Sequence, residues 1–481
     1  MSFETVIGLE IHAELNTKSK IFCSCSTEFG AKPNANTCPI CLGIPGTLPV
    51  LNEEVVNLAI KAGTSLNCGI NKLNKMDRKN YFYPDLPKAY QISQFDLPIC
   101  KEGHVDIEVD GVIKQVRLNR IHIEEDAGKL IHVENEPFSL IDYNRVGVPL
   151  IEIVTEPDMR SPEEAVIFLR AVKAVLEYGD ISDCRMEQGS FRCDANISTR
   201  KAGQDVLNTK VEIKNINSFK EVLKALEKEE KRQRELYSYG EEDKIKQETR
   251  RFDTAKGKTV PMRSKEDAHD YRYFPDPDLL PIIISDAEIA DIKATLPEMP
   301  TQKKERFSKE YGLSDVEVAI IIGDKALSQY YEAVVALGAD PKVAANWLQG
   351  DVLKLLREKE LEAIAIPVTP KALYELIEVI SAGKISYTVG KEVFNEMFNT
   401  GKSAATIITE KGLSQISDTG ELEKIIAGIL DSNPNSIADI KSGKLQAAGF
   451  LMGQVMKATK GKANPQVAKE LLNARLKERL T

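Results

Sequence analysis

Hydrophobic and polar residues alternate in short runs through the first part of the chain, and turns rich in Gly, Pro, Asn and Asp separate these runs. Alternation with a period of two is typical of strands that have one buried face. The first run, from Thr5 to Leu15, predicts a strand that buries Ile7, Leu9 and Ile11. The first 295 residues are therefore predicted to form a strand-rich domain.

Helical spacing of apolar residues interrupts this strand pattern at two places. Ser161 and Pro162 supply an N-cap and a proline at the first helical position, and Phe168 and Leu169 follow at helical spacing. A second helix is predicted over residues 219–237, where many lysines and glutamates indicate a solvated face.

The pattern changes at residues 296–300, a segment with two prolines that we interpret as a linker. Beyond it the apolar spacing is helical, and Thr369 with Pro370 starts one of the helices by capping chemistry. The predicted fold class is α+β, with a strand-rich domain at 1–295, an all-α helical domain at 296–406 and a helical tail domain at 407–481.

Composition is that of an ordinary soluble protein, with 481 residues of which 42% are hydrophobic and 28% are charged. No apolar run reaches the roughly 18 residues that a membrane helix needs, and the N-terminus lacks a signal-peptide pattern. We therefore expect a cytoplasmic protein with reduced thiols and no membrane partner. The formal net charge of −9 argues against non-specific coating of nucleic acid.

Polar residues occupy the second face of the first predicted strand. Glu10, His12 and Glu14 alternate with the buried positions, so Glu10 and His12 are close enough to share one cation. A carboxylate and an imidazole suit magnesium, manganese or zinc. The same pattern is equally typical of the polar outer face of an edge strand. No role is assigned to Glu14.

Later segments repeat this one-sided distribution of charge. They contain Glu124, Glu125 and Asp126, then Arg192, Asp194 and Asn196, then Lys210, Glu212 and Lys214, and finally Glu248 with Arg250. In one shared sheet, the acids would hold a metal ion and the cations would hold phosphates, as a magnesium–nucleotide complex requires. A half-solvated antiparallel sheet is the alternative.

All eight cysteines lie at or before Cys193, and four of them form two close pairs. Cys23 and Cys25 are followed, after twelve residues, by Cys38 and Cys41. Four thiolates at this spacing favour a tetrahedral structural zinc site, and unpaired cysteines are the alternative. The others, Cys68, Cys100, Cys184 and Cys193, are expected to be buried as small hydrophobic residues.

The C-terminal residues 441–481 form a basic tail, with nine Lys or Arg and two Glu for a net charge of +7. Such a tail is typical of a nucleic-acid contact, and a solvated helical surface is the alternative. The sequence has no glycine-rich phosphate loop, so any nucleotide must be held by the sheet face and its loops. It also lacks an amidase stretch or nucleophile elbow, so we do not expect amide hydrolysis by this chain alone.

Several long segments carry a resemblance to a known family. In order they are GLEIH (8–12), CPICLGIPG (38–46), MDRKNYFYPDLPK (76–88), EEDAGK (124–129), NR (144–145), GVPLIE (147–152), RCDAN (192–196), EIKN (212–215), DYRYFP (270–275) and GQVMKATKGKANP (453–465). The chain resembles, over nearly its whole length, the B subunits (GatB) of the aspartyl/glutamyl-tRNA amidotransferases.

This resemblance implies a cradle-shaped catalytic domain, a helical domain and a tail related to the YqeY proteins. It implies a heterotrimeric GatCAB complex, in which GatC is small and GatA is an amidase that frees ammonia from glutamine. GatB binds tRNA mischarged with glutamate or aspartate and activates the side-chain carboxylate with ATP and magnesium. The chain is therefore expected to act as a carbon–nitrogen ligase that gives Gln-tRNA(Gln) or Asn-tRNA(Asn).

The resemblance also implies roles for particular residues. Magnesium is expected on Glu10, His12, Glu125 and Glu248, contacts to ATP or substrate on Lys79, Asp194 and Glu212, and the catalytic group is Glu10, His12, Lys79 and Glu125. Lys79 and magnesium would offset the repulsion between ATP and a carboxylate. The alternative is a zinc-bearing adaptor that binds tRNA and only presents it to the amidase. Only the acids on the strand faces favour catalysis over this alternative.

Overall fold

The computed structural model describes residues 2–133, 136–262, 270–413, 419–441, 446–459, 463 and 465–480. By its internal contacts the chain divides into two compact units, 1–300 and 301–481. The first unit contains the strands and the second is helical, which confirms the α+β class. The second unit has two separate hydrophobic clusters, within residues 307–408 and 422–476. The three predicted domains and their boundaries stay a prediction.

A nine-stranded sheet forms the centre of the first unit. The strands of the described residues are β1 (Phe3–Glu14), β2 (Gly69–Ile70), β3 (Leu73–Asn74), β4 (Asp77–Asn80), β5 (Tyr90–Ser93), β6 (Cys100–Val109), β7 (Val112–Glu125), β8 (Lys129–His132), β9 (Ser139–Asp142), β10 (Pro149–Thr155), β11 (Phe191–Lys201), β12 (Val211–Ile216), β13 (Thr249–Asp253), β14 (Lys258–Pro261), β15 (Phe274–Pro275) and β16 (Ile282–Ile283). The large sheet has the order β14-β13-β12-β11-β1-β10-β7-β6-β2. Smaller sheets are β15-β4-β5, β16-β3 and β8-β9.

Helices flank this sheet and make up the second unit. They are α1 (Glu53–Ser65), α2 (Pro162–Tyr178), α3 (Phe219–Tyr239), α4 (Asp286–Ala294), α5 (Pro300–Glu310), α6 (Asp315–Ile322), α7 (Lys325–Ala336), α8 (Pro341–Trp347), α9 (Leu353–Glu358), α10 (Pro370–Ser381), α11 (Tyr387–Thr400), α12 (Ala404–Lys411), α13 (Thr419–Ser432), α14 (Pro434–Lys441), α15 (Gln446–Ala458) and α16 (Pro465–Leu480). No helix among the described residues is long and apolar enough to cross a membrane.

Strand β1 lies in the interior of the large sheet, so the edge-strand alternative was wrong. It pairs antiparallel with β11 on one side and with β10 on the other. Its apolar face is buried, with Leu9 1% and Ile11 0% exposed, in the core that α1, α2 and α3 cover. The opposite face carries Glu10 and His12, as the alternation predicts.

Capping residues fix the starts of the predicted helices. Ser161 accepts a hydrogen bond from the Glu164 backbone N–H at 3.2 Å, and α2 begins at Pro162. Thr369 caps α10 in the same way, with Pro370 at its first position. Both helix starts are therefore confirmed.

One helix of the strand-rich part, α1, was not predicted. Asn52 caps it by accepting from the Glu54 N–H at 3.0 Å. Val55, Leu58 and Ala59 then recur at helical spacing and are buried in the core of the first unit. The expectation of two helices between the strands was wrong because this short periodic run was overlooked.

The three-stranded sheet β15-β4-β5 is attached to the large sheet at β7. The Ser93 hydroxyl donates to Glu124 Oε2 at 3.2 Å, and Gln91 Nε2 donates to the Glu125 carbonyl at 2.8 Å. In register, Lys79 of β4 lies opposite Gln91 of β5. The small sheet therefore holds Lys79 near the polar end of β7.

Candidate metal and nucleotide site

Three side chains from neighbouring strands converge on the polar face of the large sheet. His12 lies in direct register with Glu152 of β10, and His12 Nε2 is 3.4 Å from Glu152 Oε2. The same nitrogen is 3.5 Å from Glu124 Oε1 of β7. One ligand atom from each of the three lies within 4.8 Å of the others, which is the spacing a single metal ion requires. We call His12, Glu124 and Glu152 the acidic triad.

A second histidine lies behind the acidic triad. His122 Nε2 is 3.2 Å from Glu152 Oε2 and 3.7 Å from Glu124 Oε2. Its Nδ1 is buried without a hydrogen-bond partner among the described residues. Histidines and carboxylates next to metal ligands orient them. His122 is therefore placed to orient both carboxylates of the triad.

The charges of the triad stabilise one another against burial. Burial disfavours the imidazolium form of His12, but the hydrogen bond and charge of Glu152 outweigh it and raise its pKa. The same balance raises the pKa of His122 to about 9. Burial would raise the pKa of Glu152, yet the two histidines hold it well below its usual value. A divalent cation would compete with these protons for the same ligand atoms.

Glu125, which the sequence pattern grouped with His12, points away from the triad. Its Oε1 accepts from Lys88 Nζ at 2.5 Å and from the Ile92 N–H at 2.8 Å. Neighbouring residues of a strand point to opposite faces, so only one of Glu124 and Glu125 can approach His12. The predicted grouping of Glu10, His12 and Glu125 is therefore corrected to His12, Glu124 and Glu152.

The missed ligands have a signal in the sequence. Ile121 and Ile123 are apolar and buried, so His122 and Glu124 belong to the opposite, polar face. Glu152 likewise lies between two buried isoleucines of β10. The parity of the alternation thus identifies Glu124 rather than Glu125.

Glu10 lies beside the triad on the same face without joining it. It pairs in register with Asp194 of β11, and its Oε1 accepts from Asn196 Nδ2 at 3.0 Å. Burial raises the pKa of Glu10, and the charge of Glu152 raises it further. Glu10 therefore lies within electrostatic reach of the triad, as the strand geometry predicts.

Asp194 and Glu212 form a second charged group, on two neighbouring strands, around Lys214. Lys214 Nζ is 3.0 Å from Asp194 Oδ2 and 3.1 Å from Glu212 Oε1. The Thr249 hydroxyl donates to Glu212 at 2.8 Å. A cation held between two acids on the same sheet face is available to bind phosphate oxygens. The structure therefore brings these two predicted contacts together.

Glu248 is not brought to His12. It directly precedes β13, which lies three strand positions from β1 in the sheet. Its carboxylate is 2.5 Å from Arg250 Nη1 and 3.9 Å from Arg232 Nη2. Among the described residues it therefore belongs to an arginine network rather than to the triad.

Lys79 faces the triad from the small sheet. Its ammonium lies 4.9 Å from the centre of the Tyr271 ring. Burial lowers the pKa of Lys79, but the charges of Glu124 and Glu152 outweigh that effect and raise it. Lys79 therefore remains charged and is directed toward the two carboxylates.

The four paired cysteines converge into one cluster. Ligand atoms of Cys23, Cys25, Cys38 and Cys41 all lie within 4.8 Å of one another, so the cluster could hold a metal ion and is compatible with zinc. A hydrogen bond from Cys23 is the main factor that lowers the pKa of Cys41, to about 5. Buried Lys20 lies 3.8 Å from Cys41 Sγ. Thiolates are the form that binds metal.

The remaining cysteines lie outside this cluster. Cys100, Cys184 and Cys193 are buried, as expected, and Cys68 is half-buried. Burial raises the pKa of Cys68 and Cys184 to about 12. All four therefore stay as thiols.

The basic tail is only partly described, and Lys444, Lys460 and Lys462 lie outside the described residues. Two of its cations pair with acids of α13: Arg475 Nη2 is 2.9 Å from Glu423, and Arg479 Nη2 is 2.7 Å from Asp431. Part of the predicted positive surface is thus used within the helical unit.

The comparisons with known proteins agree with this arrangement. Residues 5–290 match the family described as the GatB/GatE catalytic domain, and residues 329–476 match the GatB domain. Both sheets that form the acidic triad and its surroundings lie within the first match. The chain thus contains the catalytic domain of a GatB-type amidotransferase protein.

Full-length relatives carry a more specific name. The B subunit of the aspartyl/glutamyl-tRNA(Asn/Gln) amidotransferase of Clostridium beijerinckii is 65% identical over 478 residues, covering 99% of this chain and 100% of the relative. The relative of the same name from Thermoanaerobacter pseudethanolicus is 56% identical over 476 residues, with 99% and 100% covered. The chain belongs to the family of aspartyl/glutamyl-tRNA(Asn/Gln) amidotransferase B subunits.

Proposed function

We propose that this protein activates the side-chain carboxylate of Glu-tRNA(Gln) or Asp-tRNA(Asn) with ATP, so that ammonia from glutamine can form the amide. The observation that carries the proposal is the acidic triad with Lys79 directed toward it. An adaptor that only presents tRNA has no need for a histidine and two carboxylates held within 4.8 Å of each other.

The chemistry explains why such a group is needed. A carboxylate is a poor electrophile until one oxygen becomes part of a phosphate leaving group. ATP and the carboxylate are both anions, so their approach must be compensated by positive charge. Lys79 is charged and buried beside the site, and Lys214 lies further along the same face. These two cations would bind phosphate oxygens and orient them.

His12, Glu124 and Glu152 are the residues that would hold magnesium. Carboxylate oxygens are the ligands that magnesium prefers, and manganese also accepts an imidazole. Bound there, the metal would neutralise phosphate charge. Glu10 and Asp194, which lie next to the triad, would contact water or nucleotide. His122 would keep both carboxylates in place through its Nε2.

The relatives' names include tRNA and the letter of one component of a larger enzyme, and we extend both to this chain. The partners we propose are the amidase GatA, the small protein GatC and mischarged tRNA, assembled in the cytoplasm. The absence of an amidase motif in this sequence supports a separate source of ammonia. The four-cysteine cluster would bind a structural zinc ion that leaves no open coordination position.

The test uses the assembled complex with mischarged tRNA and measures ATP hydrolysis, amide formation and tRNA binding. Glu124→Gln should lower ATP-dependent amidation at least about 100-fold, because losing groups that hold or orient a metal costs about that much. Binding of tRNA should persist. Glu108→Gln, an exposed position on β6 of the same sheet, is the matched control and should keep full activity.

Two outcomes would contradict the proposal. Full ATP-dependent amidation by Glu124→Gln would remove the triad from the chemistry. Parallel loss of tRNA binding and amidation would instead favour the adaptor function.

A further inference from the structure

A row of aromatic rings extends from Lys79 toward the surface, and neither the metal site nor the core accounts for it. We call it the aromatic row, and its members are Tyr81, Tyr83, Phe95, Tyr271 and Tyr273. Tyr81 and Tyr83 stack with centres 5.8 Å apart and planes at 15°. Phe95 and Tyr273 stack at 4.3 Å and 9°. Tyr271 joins the two pairs, at 6.2 Å from Tyr81 and 6.1 Å from Tyr273.

The row is built from two segments distant in the chain that one amide holds together. Asn80 at the end of β4 donates through Nδ2 to the carbonyl oxygens of Tyr271 and Arg272, at 3.3 and 2.8 Å. Its backbone N–H also donates to the Tyr271 carbonyl at 2.9 Å. Arg272 has a φ of 43°, a left-handed conformation that costs free energy in a non-glycine residue. The position of Tyr271 is thus fixed rather than incidental.

These rings are partly open to solvent. Phe82, between the two stacked tyrosines in sequence, is 87% exposed, Phe95 is 53% exposed and Tyr83 is 38% exposed. The hydrophobic core of the first unit does not include the rings of the row. Exposed, contiguous aromatic surface of this kind marks a binding site.

The row begins at the acidic triad. Lys79 lies 4.9 Å from the Tyr271 ring centre. On the adjacent strand, Ser93 donates to Glu124 of the triad at 3.2 Å. Phe95 follows Ser93 by two residues. A ligand with one end at Lys79 and the triad would therefore extend along these rings.

We infer that the aromatic row, with Phe82, binds the unpaired 3′-terminal bases of the mischarged tRNA by stacking. This rests on the proposed function and adds to it the place where the substrate's single-stranded end lies. The amino acid is esterified to the terminal ribose, so its carboxylate reaches the triad only if the last nucleotides lie next to it. Single-stranded bases bind to exposed aromatic rings, because every base has a π-face. The exposed Arg272 beside the row supplies positive charge for the intervening phosphates.

The test uses the full complex and a mischarged tRNA that carries 2-aminopurine in place of its 3′-terminal adenine. Stacking of this base on a ring quenches its fluorescence. With the native chain, binding should quench the probe. Phe82→Ala should weaken the quenching and raise the Kd for tRNA about tenfold, which corresponds to about 1.4 kcal/mol. Tyr83→Leu should act in the same direction, and Tyr83→Phe should restore the native values because it keeps the ring.

Leu280→Ala is the matched control, because Leu280 is also 87% exposed in the first unit but lies outside the row. It should leave the Kd and the quenching unchanged. Amidation at saturating tRNA should stay close to native in Phe82→Ala, since the triad is intact. Native quenching and Kd in both Phe82→Ala and Tyr83→Leu would overturn the inference.

The readouts separate this inference from the proposed function. A native complex that quenches the probe but makes no amide would contradict the proposed function and support the aromatic subsite. Failure of the Phe82→Ala chain to join its protein partners would overturn the subsite and identify the row as a protein contact instead.

Discussion

Glu229 of α3 is a fully buried carboxylate that ties this helix to the edge of the sheet. Its oxygens accept from Arg232 Nη2 at 2.5 Å and from the Thr259 hydroxyl at 2.7 Å, and lie 3.4 Å from Arg250 Nε. Arg250 in turn holds Glu248 at 2.5 Å. Replacing Glu229 with alanine would leave the 8%-exposed Arg250 without its buried counter-charge.

The magnitude follows from the environment of that arginine. Removing one partner of a buried ion pair costs about 3–5 kcal/mol, because the other charge stays desolvated. Arg250 keeps hydrogen bonds to the Thr259 carbonyl at 3.0 Å and to Glu248, so the lower end applies. We expect Glu229→Ala to lower the free energy of unfolding of the first unit by about 3 kcal/mol. At an m-value of about 3 kcal/mol per M, the urea midpoint falls by about 1 M.

The assay follows urea unfolding by circular dichroism and by tryptophan fluorescence. The single tryptophan, Trp347, is buried in the second unit and reports on that unit alone. The dichroism transition of the first unit should move in Glu229→Ala, and the fluorescence transition should not. Glu235→Ala on the same helix is the control, because Glu235 is 55% exposed and faces Lys231 at 3.8 Å. Such surface pairs contribute about 0–1 kcal/mol.

A loss of less than about 1 kcal/mol in Glu229→Ala would refute the reasoning, since it falls in the range of an ordinary surface substitution. An equal shift of both transitions would refute it as well, because the effect would then not be confined to the first unit.

Three further predictions concern the metal cluster, a buried carboxyl and the tail. Cys38→Ser should abolish stoichiometric zinc, measured by atomic emission, while Cys68→Ser should retain it, because only Cys38 lies in the four-cysteine cluster. Burial, and then the charge of Asp126, raises the pKa of Glu14 from 4.5 to about 8. The folded chain therefore binds the extra proton between these values, and its stability falls as pH rises from about 4.5 to about 8. Urea midpoints at about pH 5 and pH 8 should differ less in Glu14→Gln than in the native chain, and an unchanged difference would contradict this. Deleting 441–481 should weaken tRNA binding and flatten its salt dependence, because lost phosphate contacts release fewer counterions, whereas an unchanged slope would exclude the tail from that contact.

Local patterns could be predicted from the sequence because their causes are local. Strand β1 follows from the alternation around Leu9 and Ile11, and α2 from the cap at Ser161. The cysteine cluster follows from the spacing of two close pairs, such as Cys38 and Cys41. In each case the residues that determine the structure lie within a few turns or strand positions of each other.

The acidic triad could not be predicted in full, because it depends on which strands lie next to β1. His12, Glu124 and Glu152 come from three strands separated by long stretches of chain. Only the order β1-β10-β7 brings them onto one face. The choice of Glu125 over Glu124 was an error of parity that the alternation of β7 could have prevented.

The aromatic row depends on non-local contact in the same way. Tyr81 and Tyr271 are brought together by the hydrogen bonds of Asn80 rather than by spacing. Both segments belong to the resembling motifs 76–88 and 270–275, but the sequence does not show that they touch.

The proposed function requires this protein to transfer a phosphoryl group to a carboxylate. Phosphorylation places one carboxylate oxygen in the bond to phosphorus, and attack by ammonia expels that oxygen with the phosphate. A decisive measurement therefore uses mischarged tRNA whose side-chain carboxylate carries oxygen-18, in the full complex with ATP and ammonia. Mass spectrometry of the released phosphate should find one oxygen-18 for each amide formed. Amide formation with oxygen-18-free phosphate would contradict carboxylate activation by phosphoryl transfer.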